Sequence, residues 1–212
     1  MKKIKGLITT TRGINLTLPK PHSKKMDQIL QTQALKRGGE VRSGFVNTSE
    51  IGYYGKHLIF PHHNFNVFIV PTVLGAEALA KTILEVKFSL SMNPKLIISY
   101  RNRMTQINRE FLFGVKKLQL GNINFDAMFE IKSNDEVFTQ NLINSEIQNK
   151  LIELLNNNFK PVLRISKKRF TFICLSWLSE DDYNDLVDIS LMFLDRMRLL
   201  GVIQSYSHKD KN

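Results

Sequence analysis

Between Ser43 and about Ser133 the apolar residues recur mostly at every second position, and after Ser133 they twice switch to helical spacing. A strand exposes alternate faces and a helix returns to one face every 3.6 residues, so the order of these periods restricts the architectures open to the chain. Strands that come first and helices that come later are segregated, not alternating. This favours an antiparallel α+β fold over a doubly wound sheet. We expect about six to eight antiparallel strands packed by two C-terminal amphipathic helices.

Individual segments follow from the same periods. Tyr54 to Phe60 and Asn66 to Val70 read as strands around Pro61-His-His-Asn64. In Thr82 to Ser91, Leu84, Val86, Phe88 and Leu90 share one face while Glu85, Lys87 and Ser89 share the other. Lys95 to Tyr100 is a further strand, and Glu110 to Leu120 pairs with Phe125 to Lys132 around Gly121-Asn122. Ser133-Asn-Asp-Glu136 has the form of a capping box, followed by Phe138, Leu142, Ile143, Ile147, Leu151, Leu154 and Leu155 at helical spacing. Pro161 to Ser166 and Arg169 to Trp177 read as a hairpin around Lys167-Lys168. Ser179-Glu-Asp-Asp182 opens a last helix with acidic residues at its positive end, and Gly201 suits its cap.

The net charge of +11 is unevenly placed. Residues 1–42 carry ten Lys/Arg (Lys2, Lys3, Lys5, Arg12, Lys20, Lys24, Lys25, Lys36, Arg37, Arg42) against Asp27 and Glu40. That is +8, leaving +3 on the other 170 residues. Pro19 and Pro21 interrupt a brief alternation, and Lys24 to Lys36 has the composition of a short helix stopped by Gly38-Gly39. With few large apolar residues to dock it, we read residues 1–42 as a basic, partly flexible arm, residues 43–204 as a single α+β domain and residues 205–212 as a polar tail. Such asymmetry points to an anionic partner for the arm, with Lys2, Lys3, Lys5, Arg12, Lys24, Lys25, Lys36, Arg37 and Arg42 as the contact residues.

The last helix has the opposite sign. Glu180, Asp181, Asp182, Asp185, Asp188 and Asp195 occur with no Lys or Arg between residues 179 and 195. Asp181, Asp185 and Asp188 fall on one helical face. That face could dock the basic arm, within the chain or from a neighbour.

The segment Leu118-Gln-Leu-Gly121-Asn-Ile-Asn-Phe125-Asp126-Ala-Met-Phe129-Glu-Ile131-Lys-Ser133-Asn134-Asp135 resembles a pattern of uncharacterised bacterial proteins: a glycine turn, a Phe-Asp pair, a strand and a cap before an amphipathic helix. The resemblance extends over roughly residues 52–201. Members of that group often follow membrane-spanning helices. The resemblance carries no assigned activity, so no catalytic residue follows from it.

Candidate chemistry is sparse. Asp126 follows a turn, where a carboxylate commonly accepts backbone amides. His62 and His63 are the clearest metal candidates. Neighbouring residues of a strand point to opposite faces, so both reach one ion only in a turn, and local spacing offers no third ligand. They read as surface histidines, and no metal or cofactor is expected. Lys167-Lys-Arg-Phe170-Thr-Phe172 has the basic and aromatic character of a nucleic-acid strand, but Ile173, Leu175 and Trp177 make the opposite face apolar too. A strand buried on both faces accounts for it. Cys174 lies in that apolar strand with no base nearby in sequence, and reads as an inert thiol. There is no P-loop, dinucleotide fingerprint or nucleophile elbow.

One cysteine forms no intramolecular disulfide, and the most apolar window, Val67 to Ala80, is too short to span a bilayer and contains Pro71 and Gly75. These features favour a cytoplasmic protein with no transmembrane segment. Together they read as a non-enzymatic interaction module, with a protein partner or self-association and a basic arm for an anionic partner. Nucleic-acid or anionic-membrane binding through residues 1–42 is the alternative. An enzyme whose site joins distant residues comes third, with Asp126, His57, His62 and His63 first to test.

Overall fold

The computed structural model describes residues 24–49, 51–74, 79–90, 94–101, 114–156, 161–166, 168–174 and 178–204. In chain order they form α1 (Lys24–Arg37), β1 (Glu40–Asn47), β2 (Gly52–His62), β3 (Phe65–Leu74), β4 (Leu79–Lys87), β5 (Ser89–Leu90), β6 (Leu96–Tyr100) and β7 (Lys116–Leu118). There follow α2 (Ile123–Met128), β8 (Phe129–Ser133), α3 (Glu136–Leu142), α4 (Ser145–Asn156), β9 (Pro161–Ser166), β10 (Arg169–Cys174), α5 (Glu180–Leu199) and β11 (Ile203–Gln204).

Nine strands make one sheet in the order β1-β2-β3-β4-β10-β9-β6-β8-β7, and β11 pairs with β5. Every pairing is antiparallel. The fold is therefore α+β as expected, with nine strands in the main sheet in place of six to eight. The register aligns Leu58, Ile69, Leu84, Phe172, Leu163, Ile98 and Ile131 in one row across seven strands. This row belongs to a single buried cluster that also takes in Met26 and Leu30 of α1, Leu151 of α4, and Tyr183, Leu186 and Phe193 of α5. On the opposite face Tyr53, Val70 and Ile83 form a smaller buried group. Glu85 is also buried there, accepting from Ser49 N at 2.6 Å and lying 3.5 Å from Arg169. A buried carboxylate is tolerable only with such partners.

Local chemistry sets where the elements start and stop. The expected capping box at the head of α5 is present: Ser179 Oγ accepts from Asp182 N, and Asp182 Oδ2 accepts from Ser179 N at 2.8 Å. Gly201 ends α5 in the left-handed region at φ +68°, with Val202 N donating to Met197 O at 3.1 Å. The helix expected after Ser133 is two helices. Asn144 breaks the run because its Oδ1 accepts from Ile147 N at 3.0 Å and opens α4, while Gln148 Nε2 donates to the Ile143 carbonyl left at the break. Asp135, not Ser133, caps α3, accepting from Phe138 N at 2.9 Å. The strand expected over Phe125 to Lys132 begins only at Phe129. Asn122 accepts from Phe125 N at 3.2 Å and starts the short helix α2 first.

The expected boundary after residue 42 falls inside β1, which pairs with β2 from Glu40 to Asn47. Helix α1 is part of the core, with Met26, Ile29, Leu30 and Ala34 buried. These residues sit at i, i+3, i+4 and i+8, a stripe narrow enough for lysines and glutamines to surround it. Gly39 completes the docking: an added Cβ there would meet Ile59 O at 2.4 Å and Phe60 Cβ at 2.5 Å. Residues 1–23 and 205–212 lie outside the described residues, and with them the part of the expected arm that precedes α1 and the expected tail. No helix among the described residues is long and apolar enough to cross a membrane.

Candidate functional site

Basic residues of the leading segment meet α5 directly. Lys36 Nζ lies 3.1 Å from Glu180 Oε1, and Arg37 Nη2 lies 3.2 Å from Asp188 Oδ1. Arg37 also donates to Gln33 Oε1 at 3.3 Å, stands 5.9 Å over the Phe60 ring, and is held beside a Gln33 to Asn184 hydrogen bond of 3.1 Å. Arg42 pairs with Glu40 across two residues of β1. Of the proposed acidic face, Asp185 is engaged from the other side by Lys150 of α4 at 3.0 Å, and Asp181 is exposed. Burial pulls the Lys150 ammonium down, but Asp185 and Glu153 outweigh it and raise its pKa. Lys24 and Lys25 are exposed at the head of α1, and Lys2, Lys3, Lys5 and Arg12 lie outside the described residues.

A second cluster joins the β2–β3 turn to α5. His62 Nε2 lies 2.8 Å from Asp195 Oδ1, and His63 Nε2 lies 3.0 Å from the same oxygen. His62 and Phe65 are paired, so His63-Asn64 is a two-residue turn, and His63 takes φ +49°. The left-handed backbone turns His63 onto the side of its neighbour, and the two rings stand 4.4 Å apart at 58°. Arg198 Nη1 lies 3.1 Å from both nitrogens of the His63 ring.

Other sequence candidates have structural duties. Asp126 accepts from Leu120 N at 3.0 Å and Gly121 N at 2.9 Å, closing the turn before α2. Phe170 and Phe172 are fully buried, with Phe170 5.8 Å from the Phe193 ring, so neither offers a stacking surface to a base. Cys174 is buried and burial pushes its thiol well up, the condition of an unreactive cysteine. His57 is buried on β2 beside Arg42, and burial lowers its pKa. Asp126 lies in α2, directly before β8, whereas His57 and His62 lie on β2 near the other edge of the sheet, so the structure does not gather these candidates into one site.

No described protein family and no curated protein matches this chain. One solved structure does resemble it: the mycobacterial trehalose monomycolate transport factor A, TtfA, with a TM-score of 0.58. The match covers 85% of this chain and 99% of that one at 9% identity. At such identity the likeness is one of fold.

Asp195 was visible in the sequence only as one acid among six on the last helix. It lies 132 residues from His63, and no local period links a hairpin turn to the far end of a helix. Glu85 was likewise legible as a member of the polar face of its strand, but not as a buried carboxylate.

Proposed function

We propose that this protein is a non-enzymatic interaction module whose leading basic residues contact an anionic partner, while the sheet and helices form the scaffold that presents them. The observation that carries this reading is the division of the basic charge. Lys36, Arg37 and Arg42 already have carboxylate partners at Glu180, Asp188 and Glu40. Residues 1–25 carry seven Lys/Arg and no Asp or Glu. A run of one sign raises the local concentration of the opposite sign and speeds encounter with it. The anionic-contact role therefore narrows to Lys2, Lys3, Lys5, Arg12, Lys24 and Lys25. The fold likeness to TtfA, named as a transport factor, supports a role other than catalysis.

The test is retention of the full chain on three polyanions at low salt: duplex DNA, vesicles with an acidic lipid, and an acidic peptide matrix. Binding to one of them, lost when Lys2, Lys3, Lys5 and Arg12 become Gln, is the expected outcome and identifies the partner's class. Failure to bind any of the three in low salt would overturn the reading.

A further inference from the structure

We propose that His62, His63 and Asp195 form a binding site for a divalent transition metal of the zinc class. Their three donor atoms all lie within 4.8 Å of one another. Ligands around a tetrahedral zinc ion with bonds near 2.0–2.1 Å are about 3.3 Å apart. To admit an ion the present separations of 2.8 and 3.0 Å from the two imidazoles to Asp195 must open slightly, while the two imidazole nitrogens, within 4.8 Å of each other, must settle near the same ligand spacing. Two imidazole nitrogens and one carboxylate suit zinc, nickel or copper, whereas calcium and magnesium require an all-oxygen set. Three protein ligands leave one position for water or a donor from a partner.

The backbone supplies a separate observation. His63 occupies the left-handed region in a two-residue hairpin turn, a place where glycine or asparagine is at ease. A non-glycine residue is strained in that region, and such strain concentrates at ligand sites. Here the unusual φ is what carries the second imidazole to the same carboxylate as the first. Removing it would return the neighbours to opposite faces of the hairpin.

Arg198 is the competitor. Its guanidinium stands against the His63 ring, and a dication on His63 Nε2 would repel it. Arg198 is exposed, so it can turn into solvent when the ion binds. The site bridges the β2–β3 turn and the end of α5, which an unfolded chain holds far apart, so ion binding is coupled to the folded state.

The experiment is calorimetric titration of the full chain, stripped with a chelator, using zinc, magnesium and calcium chlorides. One saturable zinc site is expected, with no saturable heat from magnesium or calcium. The variants H63G and D195N should each weaken zinc binding tenfold or more. H63G relieves the strained backbone while deleting the ligand, so loss of binding in it cannot be laid to misfolding; unchanged circular dichroism checks this. R198A should bind zinc as well as the parent chain or more tightly. Absence of a saturable zinc site, equal affinity in H63G and D195N, or weaker binding in R198A would each overturn the proposal.

Discussion

Leu30 is fully buried on α1, in the half of the chain's leading segment whose composition is the most polar. Replacing it with Ala removes a side chain held in the main core, and such substitutions cost about 2–5 kcal/mol. Helix propensity offsets little, since Ala and Leu are both strong helix formers. Leu35, on the same helix, is 85% exposed and provides the internal control. Its replacement by Ala should change stability by no more than about 0.5 kcal/mol. In urea, with a dependence of about 1–3 kcal/mol per molar, L30A should lower the unfolding midpoint by about 0.7 M or more. L35A should leave it nearly in place. The slope should be unchanged in both, because the native surface is. If L30A and L35A shifted the midpoint equally little, α1 would be a peripheral appendage, and the assignment of residues 24–37 to the core would be refuted.

Three further outcomes follow from named contacts. G39A forces a Cβ against the Ile59 carbonyl and Phe60, and should destabilise by about 1–3 kcal/mol in the same urea assay. D126A leaves the Leu120 and Gly121 amides without their acceptor and should cost about 1–3 kcal/mol, with D126N recovering part of it. His57 is held neutral by burial with Arg42 alongside, so its folded pKa lies below its unfolded value. The unfolded chain then binds the proton more readily, and the contribution of His57, complete above about pH 6.5, is lost as pH falls through the lower folded value. Urea midpoints measured from pH 7.5 down to 5 should fall less steeply for H57Q than for the parent chain.

Much of the sheet was legible because one physical fact, burial on alternate faces, writes itself into neighbouring residues. Leu84, Val86 and Phe88 announce their strand, and Phe170 with Phe172 announce a partner buried on both sides. Caps were legible where the donor and acceptor are three residues apart, as at Ser179 and Asp182. What escaped was long-range. The stripe of Met26, Ile29, Leu30 and Ala34 is sparse among charged neighbours, so the expected helix was legible but charge density masked its docking, which uses only one narrow face. Asn144 interrupts an apolar period that continues unbroken on either side of it, so the period shows one helix where the backbone makes two. The meeting of His62 and His63 with Asp195 depends on how a hairpin lies against a helix, which no spacing records.

The division of the basic residues into two groups with different duties is tested most directly by exchanging charges in one group at a time. Lys2, Lys3, Lys5 and Arg12 are replaced together by Gln in one variant, and Lys36, Arg37 and Arg42 in another. Binding to the retaining polyanion is then followed as salt rises, alongside the urea midpoint of each protein. The first variant should lose most of the binding and flatten its salt dependence, with each lost phosphate contact removing about 0.9 from the log–log slope if duplex DNA is the polyanion. Its midpoint should not move. The second should keep the binding and lower the midpoint, since Glu180 and Asp188 lose their partners. If the second variant lost the binding and the first retained it, the division of labour would be contradicted.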